Sequence, residues 1–266
     1  MSASPQPRRE NTRNNRGEQV VGELRRRITA LVADFGISYD EYQAAMQWLI
    51  EVGEAGEWPL VVALFEHAVE QQAHKDRAGS HGTILGPFYL PGAPVLQAPY
   101  ELPRRPDEQG ERLLITGQVL SAAGRPLPGA TLDVWQADAD GLYSGFSGIP
   151  AGILRGKVIT GTEGRFELRT IAPAPYTVPH EGPFGRLLAA CGWHPWRPAH
   201  IHLIVSAGEH EQLITQLYLS SSEYLDSDVA GAVKDSLIVH PQRHGDQLTF
   251  DYEFRLAPVR AAVPVG

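Results

Sequence analysis

Cysteine is almost absent: Cys191 is the single one in 266 residues. No internal disulfide can form and no thiolate metal cluster can be built. Nothing in the sequence asks for an oxidising compartment, so a cytoplasmic setting is the expectation. Long apolar runs are missing too. None reaches the roughly 18 residues that a membrane span needs, and the basic N-terminal stretch is not followed by the apolar segment of a secretory signal. Excess positive charge is also lacking. A net charge of −8 argues against a nucleic-acid partner, which wants a basic face. The arginines that exist crowd the beginning: Arg8, Arg9, Arg13, Arg16 and Arg25 to Arg27. Residues 1–17 carry no hydrophobic period and read as a disordered leader, with an anion- or membrane-binding tail as the alternative. No repeat at a solenoid period is visible.

What is present begins with helices. Val21, Leu24, Ile28, Leu31 and Phe35 recur at helical spacing within Val20–Phe35, and Gly36 stands where a glycine ends a helix. Ser38-Tyr39-Asp40-Glu41 has the form of a capping box, which predicts a second helix to about Val52. Gly53-Glu54-Ala55-Gly56 interrupts it. Pro59 suits the first turn of a third helix, with Leu60, Leu64 and Ala68 on one face and an end near His74. Trp48 and Trp58 read as core residues, and Cys191 as an inert buried thiol. After Gly79 the character changes. A Pro- and Gly-rich connector extends to about Gly110. Beyond it lie short apolar runs at Leu113–Leu120, Ala130–Gln136, Lys157–Thr160, Arg165–Ile171, Ala199–Ser206, Gln212–Ser220 and Leu248–Leu256. Turn residues separate them, and Gly161-Thr162-Glu163-Gly164 suggests a hairpin between two of them. The expected fold is mainly β: a C-terminal β-sandwich over 111–266, a connector over 81–110, and a helical region over 18–80.

One of these runs carries chemistry. His200-Ile201-His202 lies in the apolar stretch Ala199–Ser206, and side chains two apart on a strand share a face. The pair can reach one metal ion, although paired histidines in a strand are also common without one. Arg197-Pro198 precedes them; the proline fixes where the strand begins, and the guanidinium then stands near the pair. Arg197 could face an anionic substrate or simply the surface. No carboxylate or thiolate set completes a site. Tyr143, after the turn Asp140-Gly141-Leu142, and Tyr176, between Pro175 and Pro179, are the other donors. A phenol with a pKa near 10 is a poor ligand unless a highly charged cation holds it ionised. Each of these tyrosines could equally be a half-buried residue at a sandwich corner.

Together the residues form a pattern that resembles the intradiol ring-cleavage dioxygenases, in particular the catechol, chlorocatechol and hydroxyquinol 1,2-dioxygenases. The resemblance extends from about Val20 to Val239. It is carried by Gly53-Glu54-Ala55-Gly56-Glu57-Trp58-Pro59-Leu60, by Leu85-Gly86-Pro87-Phe88, and by the stretch from Asp133 to Tyr143. Tyr176 to Pro179 with Gly182-Pro183, Arg197 to His202, and Ile214-Thr215-Gln216-Leu217 complete it. It implies a non-haem iron(III) centre with Tyr143, Tyr176, His200 and His202 as ligands. Tyr176 would be the phenolate that the incoming diol displaces and that takes up one of its protons. Arg197 would steady negative charge on the ring and Gln216 would line the same site. An aromatic diol and O₂ would give a cis,cis-muconate-type diacid, or maleylacetate if the diol is hydroxyquinol. The resemblance also implies a homodimer through the N-terminal helices, with a phospholipid held between them in some members.

By the same resemblance Leu60, Ala63, Ile84, Gly86, Pro87, Phe88, Val229 and Ala230 line the ring pocket. Ala63 and Ala230 are small and leave room beside the ring. Hydroxyquinol and some chlorocatechol enzymes place an acid where Ala63 stands, so a third hydroxyl would lack a polar partner here. Catechol or, in preference, an alkyl- or halo-substituted catechol is therefore the expected substrate, and hydroxyquinol its rival. Outside this family, Gly117-Gln118-Val119, Gly129-Ala130-Thr131-Leu132 and Gly164-Arg165-Phe166-Glu167-Leu168 resemble prealbumin-like sandwiches that only bind. A copper or zinc hydrolase built on the same His-x-His is a third reading. The tyrosine pair with His-x-His sets the binding module apart from the dioxygenase reading, and the hydrolase lacks a carboxylate or third histidine nearby.

Overall fold

A computed structural model describes residues 16–146 and 148–259. Most of the expected leader, including Arg8, Arg9 and Arg13, lies outside the described residues, while Arg16 and Gly17 already open helix α1 (Arg16–Phe35). The chain divides into two compact units, Met1–Glu51 and Val52–Gly266. In the first, Gly36 takes a positive φ of 61° just past α1, and the N–H of Ile37 returns to the carbonyl of Val32 at 3.0 Å. Helix α2 (Tyr39–Glu54) opens on the anticipated capping box. The Glu41 N–H donates to Ser38 Oγ at 3.2 Å and the Ser38 N–H to Glu41 Oε2 at 2.8 Å. The apolar stripe of α1 faces outward: Val21, Leu24, Ile28, Leu31 and Phe35 are all at least half exposed, Phe35 at 79%.

In the second unit, helix α3 (Trp58–His74) starts with Pro59 in its first turn. Leu60, Val61 and Leu64 pack on a cluster that contains Trp135, Tyr143 and Tyr176, which is why this helix goes with the strands. Ala68 is exposed, and Trp58 is 45% exposed rather than a core residue; Trp48, on α2, is half-buried. Two sheets follow. One has the order β10–β11–β1–β4, with β1 Arg112–Ser121, β4 Arg165–Ile171, β10 Gln242–His244 and β11 Gln247–Leu256. The other has the order β3–β2–β7–β8–β9, with β2 Thr131–Gln136, β3 Arg155–Ile159, β7 His200–Ser206, β8 Leu213–Leu219 and β9 Ile238–Val239. Between them lies a core of inward-facing residues, among them Val119, Val134, Ile201, Leu203, Leu217 and Phe254. The hairpin expected around Gly161-Thr162-Glu163-Gly164 does not form. The turn exists, since the Gly164 N–H donates to the Gly161 carbonyl at 2.9 Å. But β3 pairs with β2 and β4 with β1, so the turn carries the chain from one sheet to the other. Val158 and Phe166, one on each strand, both enter the inter-sheet core, and that burial outweighs the local pairing.

Two short pieces complete the frame. Strand β5 (Tyr176–Thr177) pairs antiparallel with β6 (Trp196–Arg197), so that Tyr176 faces Arg197 in register. Helix α4 (Pro183–Ala190), not expected from the sequence, runs between them. Its first turn receives the Glu57 carboxylate, which accepts the Phe184 N–H at 2.7 Å, where a helix favours negative charge. Pro183, Phe184 and Leu188 are its buried side chains, whereas Cys191, just past its end, is exposed and not the buried thiol expected.

Candidate metal centre

Strand β7 is buried on both faces, and its period of two divides its work. Ile201 and Leu203 enter the inter-sheet core, while His200 and His202, each 1% exposed, point to the opposite face. Register sets what surrounds them. His202 stands beside Trp135 of β2 and Gln216 of β8, and His200 beside Tyr218. The Trp135 ring stacks on the His202 imidazole, with centroids 4.7 Å apart and planes 8° apart. Backbone pairing thus presents two imidazoles, an amide and a phenol on one patch of sheet.

Tyr143 arrives from a turn. Asp138 Oδ1 accepts the N–H groups of Asp140 at 3.0 Å and Leu142 at 2.8 Å, which folds the backbone back on itself. Gly141 has φ +81°, and a Cβ there would stand 3.0 Å from both the Pro175 carbonyl and Tyr176 Cβ. Only a bare backbone lets the Tyr143 turn approach the Tyr176 strand this closely. Arg155, 3% exposed, fixes the next residue: its Nε donates to Ser144 Oγ and its Nη2 to the Ser144 carbonyl, both at 2.8 Å.

The four side chains meet in one buried region. His200 Nε2 and His202 Nε2 are 3.0 Å apart, and His202 Nε2 is 3.1 Å from the Tyr143 hydroxyl. Two imidazoles about 2.1 Å from a shared ion and at a right angle would be about 3.0 Å apart, so the spacing fits an ion between them. The Pro198 carbonyl lies 2.7 Å from His200 Nδ1. A carbonyl only accepts, so the proton sits on Nδ1 and the lone pair on Nε2 faces the site. Tyr176 joins through Arg197, whose Nη1 donates to its hydroxyl at 3.5 Å and stands 3.2 Å from His200 Nε2. The rings of Tyr143 and Tyr176 meet edge to face at 5.2 Å. Among the described residues no group of three or more His, Cys, Asp or Glu side chains could hold a metal. A zinc or copper site of the hydrolase kind therefore finds no third ligand of those types, and the donors that accompany the histidines are phenols.

Electrostatics agree with that division. Burial, helped by Arg197, lowers His200 to about 3, and burial with His200 as neighbour pushes His202 well below its ordinary value. Both imidazoles are neutral and able to ligate at physiological pH. Burial drives the Tyr143 phenol well above its ordinary value, with Tyr176 adding to the effect, and raises Tyr176 despite Arg197. By themselves these phenols keep their protons; a cation of high charge is what would ionise them.

Arg197 is no surface residue. It is 2% exposed, and its Nη2 donates to Gln216 Oε1 at 3.0 Å. Gln216 is held from its other end as well, since its Nε2 donates to the Ile84 carbonyl at 2.7 Å. Asp228, which the sequence reading passed over, pairs with Arg197 at 2.9 Å. Burial raises its carboxyl, but Arg197 outweighs burial and holds it below the usual carboxylate range. Tyr218 was also missed; its hydroxyl donates to Gln216 Oε1 at 2.7 Å.

The expected pocket residues divide. Phe88 stacks on Tyr143 at 4.4 Å, and Leu60 and Val229 pack on the same cluster. Ile84 is buried, and a Cβ at Gly86 would stand 3.3 Å from His202 Cε1. Val229 and Ala230 line a cleft of about 510 Å³ with Leu64, Phe65, Trp193 and Asp228. Ala63 is half-buried on α3 but not part of that cleft, and Pro87 is exposed.

Known proteins resemble this chain in sequence and fold. A family model described as "Dioxygenase" matches residues 84–258, and one described as "Catechol dioxygenase N terminus" matches residues 14–81. A chlorocatechol 1,2-dioxygenase of Rhodococcus opacus is 43% identical over 228 residues, 82% of this chain and 89% of its own length. A hydroxyquinol 1,2-dioxygenase of a Rhizobium species is 36% identical over 239 residues, 86% of this chain and 80% of the relative. The crystal structure of 3-chlorocatechol 1,2-dioxygenase from Rhodococcus opacus 1CP superposes with a TM-score of 0.88 at 46% identity. That match covers 92% of this chain and 99% of the other.

Proposed function

Because this chain belongs to the intradiol ring-cleavage dioxygenases, which open catechol-type diols with O₂, we propose that it works with iron(III) held by Tyr143, Tyr176, His200 and His202, and that its substrate is a ring-substituted catechol. The observation that carries the metal assignment is the pair of neutral imidazole Nε2 atoms 3.0 Å apart with a buried phenol 3.1 Å from one of them. Bound iron(III) would keep both phenols ionised and draw charge from a chelated diol, so that the ring can meet O₂ without an external reductant.

The protein's own groups handle protons and charge. Burial raises the Tyr176 phenol, so as a free phenolate it is a strong base, suited to take a proton from the incoming diol. Arg197 Nη1, 3.5 Å from the Tyr176 hydroxyl, is the donor that negative charge on the ring would meet. Gln216, tied to the Ile84 carbonyl, joins the connector to β8 and holds Arg197 from below. Trp135, Phe88 and Leu60 wall the region with apolar surface and keep bulk water from the reacting atoms.

For the substrate, Ala63 is half-buried and Ala230 borders the cleft, and neither offers a polar partner to a third hydroxyl. An unsubstituted ring would leave apolar volume unfilled. The relatives named for chlorocatechol and for hydroxyquinol mark the two competing choices. The expected order of kcat/KM places 4-methylcatechol and 4-chlorocatechol at or above catechol, and hydroxyquinol below. Catechol preferred over every substituted ring by about tenfold, the worth of a methyl-sized difference, would refute the roomy pocket. Hydroxyquinol preferred by about as much would mean that its third hydroxyl finds a partner.

A second copy is the occupant proposed for the exposed apolar stripe of α1, through a twofold contact. Light scattering at micromolar concentration should give twice the chain mass; the monomer mass would contradict it.

A further inference from the structure

The Arg197 guanidinium is gripped along one edge. Its Nε donates to Asp228 Oδ1 at 2.9 Å and its Nη2 to Asp228 Oδ2 at 3.1 Å. Both side chains are 2% exposed. Nη2 donates further to Gln216 Oε1 at 3.0 Å and to the Tyr218 hydroxyl at 3.3 Å. The Nε–Nη2 edge is thereby occupied. Nη1 remains, and it is the atom that stands 3.2 Å from His200 Nε2 and 3.5 Å from the Tyr176 hydroxyl.

Asp228 is itself anchored. Oδ1 accepts the Ala230 N–H at 3.2 Å, Oδ2 accepts the Ala232 N–H at 3.1 Å, and the Gly231 N–H returns to the Asp228 carbonyl at 2.8 Å. The loop thus holds the carboxylate plane, and the carboxylate holds the guanidinium plane. An arginine side chain has several rotatable bonds, but a two-pronged contact on one edge of its planar fork leaves a single direction for the remaining nitrogen. Gln216 and Tyr218 support the same edge without supplying charge, and neither could replace a carboxylate as the buried counter-ion.

Resting on the role given to Arg197 above, we propose that Asp228 is the positioning residue of this reaction: by holding the Nε–Nη2 edge it aims Nη1 of Arg197 at the charge that develops on the ring. In this role Asp228 acts through Arg197 and not on the reacting atoms. A misplacement of about 1 Å can cost on the order of 10²-fold in rate, so the effect belongs in kcat.

The test compares the full-length iron-loaded wild type with D228N, D228E, R197M and R197M/D228N. Each is measured for iron content, visible spectrum, melting temperature, Kd for the chromophoric diol 4-nitrocatechol, and kcat on the best diol of the panel above. D228N and D228E should keep their iron and their visible band and bind 4-nitrocatechol within about threefold of wild type, while kcat falls on the order of 10²-fold. In the R197M background, D228N should cost no more than about a further twofold in kcat, because the two residues act as one unit. Should D228N fail to fold, D228E carries the same expectation, since it keeps the charge and lengthens the anchor by a methylene. A wild-type kcat in D228N or D228E, a full additive loss in the double variant, or loss of iron in parallel with activity would overturn the proposal. If the wild type itself binds iron but cleaves no diol, the functional reading fails rather than this inference.

Discussion

His202→Ala should leave a folded, colourless chain with less than about 1% of wild-type iron and turnover, a loss at or beyond the 10–100-fold that groups merely supporting a metal ligand are worth. The expectation rests on where the imidazole stands. Its Nε2 is 3.0 Å from His200 Nε2 and 3.1 Å from the Tyr143 hydroxyl, at the middle of the donor set. Alanine removes that donor and leaves a void beside Trp135, against which the ring was stacked. The void costs about 2–4 kcal/mol by analogy with large-to-small core changes. The fold should survive, because Ile201, Leu203 and Val205 still anchor β7 in the inter-sheet core. Circular dichroism reports the fold, elemental analysis the iron, and oxygen uptake the turnover. A variant with full iron and colour would remove His202 from the ligand set.

Arg197→Met is the second large effect, and its cost falls on two quantities. Donors aimed at developing charge are each worth about 10²–10³ in kcat, so kcat should drop by that much while the Kd for a diol changes little. Stability should fall by about 3–5 kcal/mol, because the substitution strands a carboxylate whose side chain is 2% exposed. Stopped-flow turnover and thermal melting separate the two. Turnover within a few-fold of wild type would mean that the guanidinium does no more than satisfy Asp228.

The contrast between Arg197 and Asp228 indicates what a sequence can convey about such a site. His200 and His202 declare themselves through a period of two in an apolar run, and strand geometry alone puts them on one face. Tyr143 and Tyr176 needed the resemblance, since each by itself reads as an ordinary corner tyrosine. Asp228 sits in a loop without periodicity, 31 residues beyond its partner. That a buried arginine wants a counter-ion is general chemistry; which acid supplies it depends on how the loop returns, and local pattern does not encode that. Tyr218 fell in a run already assigned to the strand core, and only its register opposite His200 puts it on the site face.

Errors at the level of elements have the same origin. Helix α4 carried two signals that were available, Pro183 in its first turn and Gly192 just past its end, but at eight residues the stretch is too short for its period to stand out in the sequence. The turn at Gly161–Gly164 has hairpin chemistry, and only the competing burial of Val158 and Phe166 sends its strands to different sheets. The exposed stripe on α1 has the period of a buried face, and sequence cannot say whether its cover comes from the same chain.

Tyrosinate-bound iron(III) is the central assignment, and the visible spectrum of the purified protein, read together with its metal content, tests it most directly. Two phenolates on iron(III) give a charge-transfer band, so the expected result is a red to brown protein with about one iron per chain and a band that moves when a diol is added. A protein that remains colourless after loading with iron(III) would contradict it.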